Sequence, residues 1–380
     1  MSDAGAIEPS RGHERLAPPP AIALVGPLPP PAGGMANQTG QLAHLLAREG
    51  CDVTLVRTNE PYRPAWIAKV RAVRALFRLV PYVIRLWSAA GHARIVHVMA
   101  NSGWAWHLVA APALWIARLR GVHAIVHYHG GEAAKFFESQ FRFVRPTLQT
   151  ASAVIVPSAF LRELFGRWNV AANIVPNVVD LARFRPAAVR PGRIHLIVTR
   201  NLEDVYDIPT ALRAFAAIRE ELPAATMSVA GSGPALPALN ALCRDLGMSA
   251  WVKFTGRLDS EGMARLYADA DLLLNPALAD NMPVSILEAW ASGVPVVSTD
   301  VGGIPFLAEN ERTALLVSPR SPDAMARAAL RVLRDGELAA RLRGNALTAV
   351  QAYGWPCVRD SLFAIYRRAL GSPLKAVCAS

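Results

Sequence analysis

Short apolar segments alternate with helical patterns along most of this chain, and that alternation constrains its fold more than any other feature. In the first half the pattern predicts strands at 21–26, 52–57, 94–99, 123–129 and 152–158. It restarts at Ile194 and predicts strands at 194–200, 226–231, 252–256, 272–276 and 295–299. Strands that alternate with helices form parallel sheets with helices on both faces. We therefore predict an α/β protein with two Rossmann-like, doubly wound domains that face each other across a cleft.

The same pattern gives the expected domain boundaries. We expect a disordered tail at 1–20, domains at 21–185 and 186–356, and a helix at 357–380 that packs back on the first domain. The Pro- and Arg-rich segment 180–193 is the predicted linker. A secretory signal is the alternative for the tail, but the apolar run AIALVGPL is short and is followed by Pro residues.

Composition limits the class of protein. Of 380 residues, 52% are hydrophobic and 18% charged, which excludes a disordered chain. The four cysteines are scattered without a C-x-x-C pair, so we expect a reduced, cytoplasmic protein. The net charge of +11 suggests a polyanionic surface or ligand, whether nucleic acid, anionic lipid or phosphate. An Arg-rich proteome with no special partner is the alternative.

Glycine-rich turns after strands are candidate phosphate sites. Gly33 and Gly34 follow the first strand and precede a helix expected to start near Asn37, where helix amides favour an anion. The sequence there is not G-x-G-x-x-G, and a flexible turn is the alternative. Gly231 and Gly233 end a strand of the second domain and face the expected cleft.

Two further motifs carry side chains with possible chemistry. His127 and His129 alternate at a strand end, so they share a face. His129 is the candidate for hydrogen bonding to a sugar or phosphate, whereas His127 fits a half-buried strand position. Asp269 and Asp271 form a D-x-D pair, but it closes a helix, and we interpret it as a helix end and turn without a metal.

The stretch DNMPVSILEAWASGVPVV combines two carboxylates with a helix start. Asp280 lies in the loop, and Glu288 lies about one turn into the helix. The first amides, from Val284 and Ser285, suit a diphosphate. The carboxylates would repel phosphate, so we expect them to accept hydrogen bonds from hydroxyl groups at its two ends. Arg200, after the first strand of the second domain, would neutralise the diphosphate.

These residues resemble the retaining glycosyltransferases of family GT4, which have the GT-B fold. The resemblance covers residues 21–370 and rests on DNMPVSILEAWASGVPVV, VPNVVDLARF and VGGIPFLAENERTALLV. It implies an acceptor-binding first domain and a second domain that binds a nucleotide sugar. The implied catalytic residues are His129, Arg200, Asp280 and Glu288, with the sugar at Asp280 and the ribose at Glu288. The implied donor-binding residues are Gly33, Gly34, Gly231, Gly256, Arg257, Leu258, Met282, Val284 and Ser285.

The chain departs from the family at two places. Asp280 stands where the family more often has Glu. Tyr206 and Asp207 stand where the family has Lys followed by Gly, so one phosphate-neutralising cation is missing. The resemblance implies transfer from a UDP- or GDP-linked sugar with retention of configuration, without metal or cofactor, in bacterial surface polysaccharide synthesis. The alternatives are a nucleotide-sugar epimerase of the same fold and a catalytically impaired glycan-binding protein.

Segment 65–90 is basic and apolar. At 100° per residue Arg71, Arg74, Arg78 and Arg85 share one face, and Val73, Leu76, Val80, Val83 and Trp87 lie opposite. Pro81 is expected to kink or divide the helix. Such a helix suits an anionic membrane surface, or alternatively packs within the domain. We expect a peripheral protein on the inner face of the plasma membrane, with a glycan or polyprenyl-linked acceptor. Nucleic acid is not expected, since no recognised module is present.

Overall fold

The structure is a computed structural model that describes residues 19–30, 33–61, 74–187 and 194–371. Most of the predicted tail lies outside these residues, as do Arg71 and Val73 of the basic segment and the end of the predicted linker. Within them the predicted architecture is confirmed. Each half of the chain contains a six-stranded sheet, and the strands named below pair in parallel.

The first sheet has the order β2-β1-β3-β4-β5-β6. Its strands are β1 (Ala21–Gly26), β2 (Asp52–Arg57), β3 (Ile95–Ala100), β4 (His123–Tyr128), β5 (Ala153–Val156) and β6 (Asn173–Ile174). Its helices are α1 (Gly34–Arg48), α2 (Arg74–His92), α3 (Ala111–Leu119), α4 (Ala133–Leu148) and α5 (Ala159–Arg167). Five strands lie within two residues of the predicted segments. β6 was not predicted, because two residues carry no periodic signal.

The second sheet has the order β12-β11-β10-β7-β8-β9. Its strands are β7 (His195–Thr199), β8 (Thr226–Ala230), β9 (Val252–Gly256), β10 (Leu272–Asn275), β11 (Val296–Thr299) and β12 (Leu315–Val317). Its helices are α6 (Ile208–Glu221), α7 (Leu236–Asp245), α8 (Ser260–Ala268), α9 (Val284–Ala291), α10 (Ile304–Leu307), α11 (Pro322–Arg334) and α12 (Gly336–Ala349).

The last helix, α13 (Trp355–Leu370), returns to the first domain. Leu362, Ile365 and Tyr366 belong to the same buried cluster as Ile22 and Leu24 of β1. Because this contact buries apolar surface from both ends of the chain, α13 joins the second domain to the first.

Helix α2 differs from the sequence prediction. It runs from Arg74 to His92 without dividing at Pro81. Tyr82 and Leu86 are buried in the domain core, and the packing of this face offsets the hydrogen bond that Pro81 removes. Val83, predicted to share an apolar face with Val80 and Trp87, packs partly against the core, whereas those two side chains are exposed.

A second apolar stripe on α2 faces solvent. Phe77, Val80, Ile84 and Trp87 are 47%, 46%, 64% and 44% exposed. Their spacing of three, four and three residues places them on one side of the helix. Within the described ranges, no helix is both long and apolar enough to cross a membrane.

Both sheets contain a topological switch point, where the chain leaves one side of the first strand and returns on the other. In the first sheet it lies between β1 and β3, and in the second between β7 and β10. Ligands of doubly wound folds bind outside the carboxyl ends of the strands at this point. The strand order therefore directs attention to the loops after these four strands.

Candidate functional site

The switch point of the second domain holds a buried ion pair. Arg200 follows β7 and Asp280 lies in the loop after β10. Arg200 Nη2 lies 2.5 Å from Asp280 Oδ2, and the two side chains are only 11% and 15% exposed. Arg200 Nε donates to Asn275 Oδ1 at 2.8 Å. Because a guanidinium has five N–H donors, these two bonds leave Arg200 able to serve an anionic ligand as well.

Tyr206 contacts the same guanidinium. It ends the 3₁₀ turn Asp204–Tyr206, and its ring centroid lies 4.9 Å from Arg200 Cζ. The next residue, Asp207, has φ of 42°, a left-handed conformation that glycine adopts easily. The backbone thus keeps the conformation that suits the glycine of the resembled family. The missing cation is replaced by an aromatic face that stacks on Arg200.

The loop that carries Asp280 is held by its own backbone and by a Gly-Gly pair. Asp280 Oδ1 accepts a hydrogen bond from the Met282 N–H at 3.0 Å. The Gly303 N–H donates to the Asp280 carbonyl at 2.8 Å. A Cβ atom on Gly303 would lie 1.9 Å from the Asn281 carbonyl oxygen, so only glycine fits there. The packing fixes the carboxylate before any ligand arrives.

Glu288 lies on α9, partly exposed, beside the hydroxyl of the fully buried Tyr267. Loss of hydration raises the pKa of Glu288 to about 7, opposed by a hydrogen bond from Tyr267 and by the positive charge of Arg200. The Tyr267 hydroxyl also contacts Thr199 Oγ1 at 2.7 Å and lies 3.0 Å from the Ser285 carbonyl oxygen. Glu288 and Asp280 are therefore both coupled to Arg200.

Helix α9 begins directly after the Asp280 loop. Pro283 is its N-cap, so Val284 and Ser285 supply the first amides, which have no carbonyl partner within the helix itself. The Ser285 hydroxyl is buried and has no hydrogen-bond partner among the described residues. A buried polar atom of this kind normally bonds to something, and a bound ligand would satisfy it.

The glycines after β8 and β9 serve the protein backbone. A Cβ atom on Gly231 would lie 1.9 Å from the Arg200 carbonyl, and one on Gly233 would lie 2.2 Å from the Leu202 carbonyl. The loops after β7 and β8 therefore approach each other too closely for any side chain at these two positions. This close approach accounts for both glycines, and no bound phosphate is needed to explain them. Gly256 has φ of 68° and turns the chain after β9, leaving Arg257 exposed and Leu258 half-buried.

Gly33 and Gly34 lie at the start of α1, which differs from the prediction. The helix was expected to start near Asn37, but the Gly33 carbonyl accepts the Asn37 N–H at 2.9 Å and Gly34 is already helical. Among the described residues, a Cβ atom at either glycine would meet nothing within 4 Å. Packing against these residues therefore does not require glycine at either position.

His129 follows β4 at the contact between the two domains. Asn281 Nδ2 of the second domain donates to the carbonyl oxygens of His129 and Gly130 at 3.2 and 2.6 Å. Burial lowers the pKa of His129 to about 4, so the ring is neutral at pH 7. Its Nε2 atom is buried without a partner among the described residues. A neutral imidazole can donate or accept one hydrogen bond at this position.

His127 lies deeper in the first domain. Its ring centroid is 4.2 Å from that of His129, and its Nδ1 lies 3.3 Å from His97 Nε2. The other His97 nitrogen contacts the Tyr366 hydroxyl at 2.7 Å. His127 therefore links His129 to α13. The sequence analysis did not single out His97. Its strand, β3, pairs with β4, the strand of His127, so the strand order could have indicated the contact.

Met282 lies between the domains. Its carbonyl accepts a hydrogen bond from Asn177 Nδ2 at 3.0 Å, and its sulfur accepts the Asn177 N–H at 3.5 Å. The residue is 5% exposed. These contacts give Met282 a role in joining the domains, in addition to the donor-binding role predicted for it.

The D-x-D pair lies away from these residues. Asp271 Oδ2 accepts a hydrogen bond from the His195 N–H at 2.7 Å, before β10 and at the start of β7. This is the amino end of the sheet, opposite the switch-point loops. The interpretation of the pair as a turn and helix end fits this contact.

Comparison with known proteins identifies the two domains. Residues 33–178 match the family model for the glycosyl transferase 4-like domain. Residues 193–335 match the model for glycosyl transferases group 1. The chain belongs to the GT-B glycosyltransferases. The family expectation is thereby confirmed at the level of this broad group.

Relatives of this glycosyltransferase have different substrates in their names. A Mycobacterium tuberculosis glycogen synthase is 27% identical over 68% of this chain and 66% of its own length, just under two thirds. A GDP-mannose-dependent alpha-(1-6)-phosphatidylinositol monomannoside mannosyltransferase of the same species is 27% identical over 84% of this chain and 90% of its own length. The Anabaena protein HepE, solved with UDP-glucose, superposes with a TM-score of 0.71 at 18% identity, covering 91% of this glycosyltransferase and 98% of HepE. That last likeness concerns the fold alone.

The structure adds residues that the motifs did not single out. Asn281 and Asn177 connect the domains, and Tyr267 sets the environment of Glu288. Asn281 follows Asp280 directly, and Asn177 lies in VPNVVD, so both were inside quoted motifs without an assigned role. Tyr267 lies on another helix, and nothing in the local sequence links it to Glu288.

Proposed function

We propose that this protein is a retaining, metal-independent glycosyltransferase that transfers a sugar from a UDP- or GDP-linked donor to a glycan or polyprenyl-linked acceptor. The setting we propose is the synthesis of a bacterial surface polysaccharide. The observation that carries the proposal is the Arg200–Asp280 pair at the second switch point, beside the first amides of α9. A cation and oriented amides at the carboxyl ends of parallel strands are the donors that a diphosphate needs.

Five of the predicted residues have a task in this mechanism. Arg200 and the amides of Val284 and Ser285 bind the diphosphate and stabilise its charge as the sugar leaves. Asp280 and Glu288 accept hydrogen bonds from the transferred sugar and the ribose. The acceptor hydroxyl attacks from the face that the diphosphate leaves, and its proton passes to the departing phosphate. One C–O bond forms between the sugar and the acceptor as the C–O bond between the sugar and the diphosphate breaks. No covalent enzyme intermediate is formed.

The nucleotide is tested with purified protein and a panel of UDP- and GDP-linked sugars. We expect one base to stabilise the protein in thermal shift and to support product formation. NMR of the product gives the anomeric configuration, and EDTA tests the need for metal. Inversion of configuration, or activity lost in EDTA and restored by a divalent ion, would contradict the corresponding part of the proposal. Conversion of the nucleotide sugar without acceptor would identify the epimerase alternative.

A single substitution tests the part that Arg200 plays. Arg200→Ala should lower kcat by roughly 100-fold or more, as for other charge-stabilising donors. Arg265→Ala is the matched control, because that side chain is 73% exposed on α8. Equal activity of the two variants would remove Arg200 from the mechanism. Binding of nucleotide without transfer to any acceptor would favour the impaired binding protein.

We also propose that the α2 stripe places the enzyme on an anionic membrane, on the cytoplasmic side. Phe77, Val80, Ile84 and Trp87 are exposed together, and the Arg120 guanidinium lies 4.8 Å from the Trp87 ring centroid. Apolar side chains beside cations suit an interface with anionic lipid.

Sedimentation with vesicles that contain anionic phospholipid tests this surface. The wild type should pellet at low salt, and an Ile84→Ser, Trp87→Ser double variant should pellet much less. Trp251→Ser is the control, since that ring is 42% exposed on the second domain. Pelleting that is equal in all three proteins, or absent in the wild type, would refute membrane contact.

A further inference from the structure

The first switch point carries an exposed tryptophan that no part of the proposed mechanism uses. Trp104 lies in the loop after β3 and is 77% exposed, more than any other large apolar side chain among the described residues. The neighbouring strand β4 is followed by His129, whose carbonyl contacts Asn281 of the second domain. The loop after β3, one strand along, therefore borders the cleft between the domains.

The loop holds Trp104 outward by anchoring the residues around it. Gly103 has φ of 66°, and its carbonyl accepts the Trp106 N–H at 3.0 Å. Trp106 is completely buried, and the Ser102 hydroxyl contacts the Tyr128 hydroxyl at 2.7 Å. With both neighbours fixed, the exposure of Trp104 is a property of the fold rather than of a loose loop.

A π-helical turn, Trp106–Ala110, follows immediately. Turns of this type are rare and are found disproportionately at functional sites. The turn carries His107, whose ring centroid lies 6.3 Å from that of Trp104. An imidazole is thus placed beside the exposed indole.

The opposite side of the switch point is also rigid. After β1, the Leu28 carbonyl accepts a hydrogen bond from Asn59 Nδ2 at 2.7 Å, and the Pro30 carbonyl accepts one from Arg57 Nη2 at 2.6 Å. Arg57 is committed to this loop. The described residues of the loop after β1 are therefore held in place, on the side of the switch point opposite Trp104.

The chemistry of the Trp104 loop fits a neutral sugar. Residues 101–107, NSGWAWH, offer a flat apolar ring flanked by amide, hydroxyl and imidazole groups, with no Lys, Arg, Asp or Glu. The C–H face of a pyranose packs on an aromatic ring while its hydroxyls bond to polar groups at the edges. A phosphate headgroup would instead require cations.

We propose that Trp104 stacks against a pyranose ring of the acceptor and so helps to select a glycan. The proposal rests on the proposed glycosyltransferase function, because it assigns the acceptor side of that site. It makes Trp104 a binding residue for the acceptor, without a part in donor binding or in bond cleavage.

Binding is measured first, since it needs no turnover. Saturation-transfer NMR with methyl glycosides and disaccharides of glucose, galactose and mannose is recorded on wild type, Trp104→Ala, Trp104→Phe and the control Trp251→Ala. We expect a signal from at least one probe that Trp104→Ala abolishes, Trp104→Phe largely keeps and Trp251→Ala leaves unchanged. In kinetics with an active acceptor, Trp104→Ala should raise the acceptor KM about tenfold, with donor KM and kcat changed less than about twofold.

The outcomes separate this inference from the function it rests on. Sugar binding that depends on Trp104 in a protein without transferase activity supports the stacking site and overturns the proposed function. Transfer with the same acceptor KM in Trp104→Ala overturns the stacking site and keeps the function. Loss of vesicle pelleting in Trp104→Ala with unchanged sugar binding assigns Trp104 to the membrane instead, which also overturns the proposal.

Discussion

The substitution Glu288→Gln tests how the site treats a carboxyl group whose pKa is raised by loss of hydration. Burial raises the pKa of Glu288 from the ordinary 4.5 to about 7 in the folded protein. The folded state therefore holds the proton more tightly than the unfolded state does. The contribution of this group to stability is complete below pH 4.5 and is lost as the pH rises toward 7. Glutamine carries no proton to lose, so the variant should lack this dependence.

The size of the effect follows from the two pKa values. Each pH unit between them corresponds to 1.36 kcal/mol, so the full difference is about 3 kcal/mol. The free energy of unfolding of Glu288→Gln, relative to wild type, should thus rise by about 3 kcal/mol between pH 4.5 and pH 8. Most of the rise should fall between pH 5 and 7.

The assay is urea denaturation of both proteins at pH values from 4.5 to 8, with far-UV circular dichroism and Trp fluorescence as independent probes. Glu261→Gln on α8 is the control, because it removes a carboxylate whose side chain is 81% exposed. Curves for wild type and Glu288→Gln that stay parallel over the whole range would refute the reasoning. So would a rise of the same size in the Glu261→Gln control.

Three other substitutions test the site. Gly303→Ala should lower Tm by a few degrees and weaken nucleotide binding, because its Cβ would lie 1.9 Å from the Asn281 carbonyl. Gly336→Ala is the control, since its Cβ would meet no described atom within 4 Å. Equal Tm values for the two variants would contradict this prediction. Tyr206→Lys supplies the cation that the resembled family has, so calorimetry should show several-fold tighter binding of the preferred nucleotide diphosphate, with a steeper salt dependence. Unchanged affinity would place Tyr206 outside the diphosphate site. Arg200→Lys should lose at least tenfold in activity, because lysine cannot reproduce the planar contacts of the guanidinium, and a fully active variant would show that charge alone suffices.

Much of the fold followed from local sequence. The five apolar segments of each half became strands within two residues of their predicted bounds, because parallel strands buried on both faces are nearly continuous apolar runs. The stretch DNMPVSILEAWASGVPVV also predicted a helix that starts near Val284, as observed. The pattern missed β6 and β12, which span two and three residues and are too short to show a period.

Local sequence predicted less well which side chains are buried and which are exposed, because their partners are distant in the chain. The exposed stripe of α2 was misassigned in part, since Val83 turns toward the core while Phe77 and Ile84 face solvent. Helical periodicity shows two apolar faces but does not say which one the domain covers. The start of α1 was placed too late, because glycine is a poor helix former and a backbone hydrogen bond decided the boundary.

By itself, the sequence determined the two α/β domains, the order of strands and helices, and the acidic loop and helix, because these depend on patterns a few residues long. Only the tertiary structure decided that Arg200 pairs with Asp280, that Tyr267 forms a hydrogen bond with Glu288, and that Asn281 reaches the loop after β4. Strand order brings residues from separate loops to one edge of a sheet, and their charges and burial are then set by neighbours that no local pattern records.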